Sequence, residues 1–131
     1  MARVPFDRRN TPGGSVQKYY SGAWLEPGIG GRVTAVFPAN VSWLSAKADA
    51  FWGPSVHWNS YLEAWVMLLN HACCAPGWPQ EGVYTSFNKS LANPKGWSAP
   101  VKLLGGVGWY PQVIGFSPKG TDELAGQTGR I

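Results

Sequence analysis

Seven acidic side chains and two histidines are the carboxylates and imidazoles of this 131-residue chain. Asp7 lies in an N-terminal segment, Glu26 in a turn, Glu63 in a hairpin, and Asp122 and Glu123 near the end of the sequence. Asp49 and Glu81 remain as carboxylates placed to act on a ligand. His57 and His71 are the imidazoles that could exchange a proton near neutral pH. Trp52, Trp78, Trp109 and Tyr110 stand close to these residues in predicted loops and strand entries. Such rings offer broad apolar faces with one polar handle each, which suits a ligand with C–H faces and a fringe of hydroxyls. Cys73 and Cys74 are neighbours, and Cα atoms joined by a trans peptide lie about 3.8 Å apart, below the usual disulfide range of about 4.4–6.8 Å. Two free thiols in a loop are therefore expected. His71-Ala72-Cys73-Cys74 lacks the ligand spacing of zinc sites, so neither a metal nor another cofactor is expected.

The elements that must position these groups follow from composition and pattern. Charged residues make up 14% and aromatic residues 14%, with eight Trp, which is the reverse of a disordered chain. Seventeen Gly and eleven Pro oppose a helical bundle. No apolar run approaches the roughly 18 residues of a membrane span. The net charge of +4 is scattered apart from Arg3, Arg8 and Arg9, and no nucleic-acid motif accompanies it. Neither a membrane nor a nucleic acid is an expected partner. Short β-type runs bounded by turn residues predict strands at 32–37, 55–58, 64–69, 82–87, 101–104 and 112–115. Ala64-Trp65-Val66-Met67-Leu68-Leu69 is an unbroken apolar run, too short for a typical helix and expected to be buried on both faces, with Trp65 in the core.

Trp52-Gly53-Pro54-Ser55-Val56 and Trp109-Tyr110-Pro111-Gln112-Val113 share the pattern W-x-P-x-V, and each opens a predicted strand. Four strands with short connections lie between them, the content of one antiparallel four-stranded blade of a β-propeller. The expected fold is thus all-β: one complete blade at about 52–105, parts of two neighbours, and an incomplete propeller over 18–131 behind a basic tail at 1–17. A sandwich of the same strands is the alternative. One blade cannot close a ring, so a longer protein or completion by association through open sheet edges is expected.

The chain resembles the five-bladed propeller glycoside hydrolases, the superfamily containing families 43, 32 and 68 and related uncharacterised secreted bacterial proteins. The resemblance rests on Lys18-Tyr19-Tyr20-Ser21-Gly22-Ala23-Trp24, Asp49-Ala50-Phe51-Trp52-Gly53-Pro54-Ser55-Val56-His57-Trp58, Glu81-Gly82-Val83-Tyr84-Thr85-Ser86, Gly96-Trp97-Ser98-Ala99-Pro100-Val101 and Trp109-Tyr110-Pro111-Gln112-Val113. Ser86-Phe87-Asn88-Lys89-Ser90 followed by Trp97 also looks like an altered Asp-box, the blade turn of sialidase-type propellers, with Asn where Asp is usual. The resemblance implies export, although the N-terminus shows no signal peptide. It also implies an auxiliary aspartate at Asp49 and a general acid at Glu81, which here precedes a third strand rather than an inner one.

Hairpin connectivity gathers Asp49, Phe51, Trp52, His71, Cys73, Cys74, Trp78, Glu81, Trp109 and Tyr110 at one rim, and 59–63 and 88–95 at the other. A carbohydrate held at the first rim is the expected ligand. Asp49 and Glu81 are the candidate catalytic pair. Trp52, His57, His71, Trp78, Trp109 and Tyr110 are the candidate binding residues, Trp78 foremost, while Trp52 and Trp109 could instead pack between blades. A non-catalytic interaction module that oligomerises through its sheet edges is the alternative.

Overall fold

A computed structural model describes residues 1–42, 44–106 and 108–131. Strand takes 39% of the chain and helix 5%, so the protein is all-β. It divides into two compact units, Met1–Val36 and Phe37–Ile131.

The first unit is a three-stranded antiparallel sheet of β1 (Ala2–Arg3), β2 (Gln17–Tyr20) and β3 (Ala23–Pro27), in that order. Ser21 and Gly22 both take positive φ in the two-residue loop that joins β2 to β3, the backbone such a tight hairpin favours. Lys18 is buried and its ammonium donates to the carbonyl oxygens of Pro27 and Gly30. Two expectations change here. Residues 1–17, read as a tail, supply β1, which pairs with the start of β2. The strand expected at 32–37 does not form. Instead the Thr34 amide donates to the Tyr19 carbonyl and its hydroxyl accepts the Ser21 amide, which ties this residue to the hairpin as part of a loop.

The second unit is built on β4 (Ala50–Asn59), β5 (Ala64–Ala72), β6 (Gln80–Asn88) and β7 (Val101–Gly105), each antiparallel to the next. The apolar run at 64–69 lies within β5 at the centre of this meander, and Val66, Met67, Leu68 and Leu69 are buried. Trp65, expected in the core, is only half-buried and meets Trp58 edge-to-face at 5.4 Å. Side-chain oxygens set the turns. Asn59 accepts the amides of Tyr61 and Leu62 after β4. Asn88 accepts the Ser90 amide and donates to the Asn93 carbonyl after β6, with Trp97 buried nearby in sequence.

The segment after β7 forms a separate two-stranded sheet and sends one short strand back to the edge of the main sheet. Of the strand expected at 112–115 only β8 (Ile114–Gly115) forms, and it pairs with β10 (Gly129–Arg130). Between them β9 (Leu124–Ala125) pairs in parallel with the end of β4, so the sheet is mixed and five-stranded in the order β7-β6-β5-β4-β9. A Cβ at Gly120 would collide with the Gly115 carbonyl, which is why this tight return needs glycine. The returning segment covers one face of the sheet: Val113 and Ala125 pack with Val66, Leu68 and Val83. The two copies of W-x-P-x-V also come together. The Ser55 hydroxyl donates to the Pro111 carbonyl at 2.6 Å, and Gly53 lies directly against Tyr110.

Candidate functional site

The start of β4 and the end of β5 meet at one end of the sheet, where Phe51 pairs with His71 and Trp52 pairs with Asn70. Successive strand residues point to opposite faces. Phe51 and His71 therefore share one face, and Trp52 and Asn70 share the other. The residues expected at a single rim divide accordingly into two groups.

The first group is charged. His71 lies between the two candidate carboxylates, its Nε2 facing Asp49 Oδ1 and its Nδ1 facing Glu81 Oε2. Phe51 and Tyr84 flank the ring, with centroids 5.1 and 5.2 Å away. Glu81 also accepts the Tyr84 hydroxyl at 3.0 Å and the Lys102 ammonium at 2.8 Å. Hydrogen bonds from Lys102, Tyr84 and then His71 hold the Glu81 carboxyl down from 4.5 to about 2. The same carboxylate raises the Lys102 ammonium, and burial, followed by Glu81, raises the Tyr84 phenol. Both imidazole contacts are hydrogen bonds only when both ring nitrogens carry protons.

This chemistry is unlike that of a glycoside-cleaving pair. A general acid must hold its proton near working pH, whereas Glu81 is kept ionised. The two carboxylates of a glycosidase flank the bond they cleave, whereas here an imidazole occupies the space between them. Tyr84 and Lys102 were missed in the sequence. Only the β6–β7 register, which pairs Tyr84 with Lys102, brings them to Glu81.

The second group is aromatic. Trp52, Trp78, Trp109 and Tyr110 line an open hollow of about 370 Å³. Trp52, Trp109 and Tyr110 are 40%, 46% and 74% exposed, so they do not pack in a closed interior. Asn70, fully buried, accepts the Tyr110 amide at 2.6 Å and donates to the Gly108 carbonyl at 3.3 Å. Gln80 donates to that carbonyl from β6 at 3.0 Å. Gly53 is forced by two features: its φ is +56°, and a Cβ there would lie 2.7 Å from the Tyr110 ring. Asn70 escaped the sequence reading because a lone Asn at the end of an apolar strand carries no chemical pattern of its own.

His57, expected among the binding residues, is elsewhere. It is buried beside Val66, Leu68, Thr85 and Phe87 in a separate cavity of about 340 Å³. Its cross-strand partner Val66 is four residues along β5 from Asn70, roughly 13 Å at the rise of a strand. Burial lowers the His57 pKa, so the ring is a neutral core group. Cys73 and Cys74 are joined in a disulfide rather than held as the expected free thiols. The intervening peptide is cis, and the Cα atoms are 3.1 Å apart.

Among the described residues no group of three or more His, Cys, Asp or Glu is arranged to hold a metal ion, and no helix is long and apolar enough to cross a membrane. No family model matches the chain, and neither the curated proteins nor the solved structures contain a match.

Proposed function

We propose that this protein is a carbohydrate-binding module whose sugar site is the hollow of Trp52, Trp78, Trp109 and Tyr110, and that the Asp49–His71–Glu81 cluster is structural. The observation that carries this reading is the convergence of four partly exposed aromatic side chains from three separate segments on one open hollow. Indole and phenol faces stack on the C–H faces of pyranoses, while their N–H and O–H groups reach the hydroxyls. The four-stranded antiparallel meander β4–β7 supports the related proposal of a blade like those of the five-bladed propeller glycoside hydrolases. Binding without hydrolysis is favoured, because Glu81 is ionised and engaged.

A glycan array and a panel of chromogenic glycosides test the reading together. Saccharide binding that disappears in Trp78→Ala and persists in Glu81→Gln, with no glycoside cleaved, is the expected outcome. Cleavage lost on Asp49→Asn or Glu81→Gln would return the acids to a catalytic role.

A second reading is favoured by β7, the terminal strand of the five-stranded sheet. All five of its residues are exposed, among them Val101, Leu103 and Leu104. Unpaired strand edges with apolar side chains invite pairing with another chain, so homo-oligomerisation through this edge is the alternative. A solution mass that drops to the monomer in Leu103→Lys would support it, and a monomeric wild type would remove it.

A further inference from the structure

We infer that the aromatic hollow receives an internal stretch of a neutral, extended polysaccharide of the β-1,4-linked glucan, xylan or chitin type, rather than a single terminal sugar. This rests on the saccharide reading and adds the class of chain and the mode of recognition.

The described lining is three indoles and a phenol. An anionic sugar pressed against it would lose water from its carboxylate with no cation to pair with, which is costly. Lys102, the cation of the charged group, is bonded to Glu81. A neutral ring with equatorial hydroxyls turns its C–H bonds to its flat faces, the part of a sugar that an aromatic ring contacts best. The hollow's volume falls within the range of about 300–1,000 Å³ that serves small-molecule ligands.

Its shape favours an internal stretch over an end. Tyr110 is 74% exposed and Trp109 46%, so these rings offer a surface that a chain crosses instead of a wall that encloses one residue. The platform is also fixed in advance. Trp78 and Tyr110 take φ of 49° and 61°, a left-handed backbone that is uncommon for bulky side chains and concentrates at functional sites. The buried Asn70 holds the Tyr110 amide in that conformation. Rings already in place bind with little ordering cost, and each further sugar on the same platform adds contact at small entropic expense.

Calorimetric titration of the whole chain with mono-, di-, tetra- and hexasaccharides of the cello, xylo and chito series, and with an oligogalacturonide of matched length, tests the inference. Affinity should rise at least tenfold from monosaccharide to hexasaccharide in one or more neutral series, with no binding of the oligogalacturonide. Tyr110→Ala, a change at an exposed ring, should erase most of that gain while the thermal transition stays in place. A monosaccharide that binds as tightly as its hexasaccharide, or an oligogalacturonide that binds as well as the neutral chains, overturns this inference and leaves the saccharide reading standing. Binding on the array only by sugars outside these series does the same. Absence of binding to any saccharide overturns both.

Discussion

At one end of a single sheet, two clusters on opposite faces, parted where Phe51 neighbours Trp52 and His71 neighbours Asn70, have opposite characters. On one face, Asp49, His71, Glu81, Tyr84 and Lys102 bond chiefly to one another. On the other, Trp52, Trp78, Trp109 and Tyr110 line an open hollow, with the Tyr110 amide held by Asn70 and its ring against Gly53. A cluster of ionisable groups is the usual first place to look for chemistry. Here those groups are turned toward each other, although Asp49 Oδ1 has no hydrogen-bond donor among the described residues, while the group poor in charge has unspent surface. Perturbed titration alone marks a salt-bridge network as readily as an active centre.

Four experiments break or sharpen this contrast. The largest effect is expected from Trp78→Ala or Trp109→Ala, each removing a central ring of the proposed platform. Hot-spot truncations of this kind cost about 2 kcal/mol or more, which calorimetry with a cello- or xylo-oligosaccharide would read as at least a thirtyfold loss of affinity. Asn70→Leu comes next. It strands the Tyr110 amide, while Gln80 still donates to the Gly108 carbonyl, and an unpaired buried polar group costs about 1–3 kcal/mol. Denaturant unfolding should show that loss, and saccharide affinity should fall although no ring has been removed.

The third experiment concerns pH and His57. Its folded pKa is lowered by burial from 6.5, so the unfolded chain binds the proton more readily than the folded one. Its contribution to stability is present above pH 6.5 and is lost as pH falls below that value. The melting temperature of the wild type should drop on acidification through this window, and His57→Gln should flatten that part of the profile. The smallest effect is expected from Glu81→Gln. The folded carboxyl is lowered to about 2 from 4.5, so its contribution is full above 4.5 and disappears as pH falls toward about 2. The melting temperatures of wild type and Glu81→Gln should therefore differ modestly at neutral pH and converge in acid, with saccharide affinity the same throughout within about twofold.

Much of the fold could be read from pattern. The unbroken apolar run at 64–69 and its turn-bounded neighbours give β4 to β7 in the right order, because a central strand must bury both faces and its hairpins need Asn, Gly and Pro between them. The weaker elements escaped for physical reasons. β1, β8, β9 and β10 are two residues long, too short to carry periodicity, and they exist because tertiary contacts hold them. Residues 32–37 have strand propensity, yet Thr34 at their centre bonds to the β2–β3 hairpin instead. At the site, the proximity of Asp49, His71 and Glu81 followed from connectivity. Which side of the sheet each residue faces did not, because Phe51 and Trp52 differ by one position and only the pairing with His71 and Asn70 tells them apart. The W-x-P-x-V echo carried a signal of a different kind: its two copies pack against each other.

The separation of the two faces is tested most directly by titrating the intrinsic tryptophan fluorescence with a neutral β-1,4-linked hexasaccharide in three proteins side by side: wild type, Trp109→Ala and Glu81→Gln. Wild type and Glu81→Gln should give superimposable saturation curves, and Trp109→Ala should give none over the same range. A curve abolished by Glu81→Gln and retained by Trp109→Ala would place the ligand on the charged face and contradict the account.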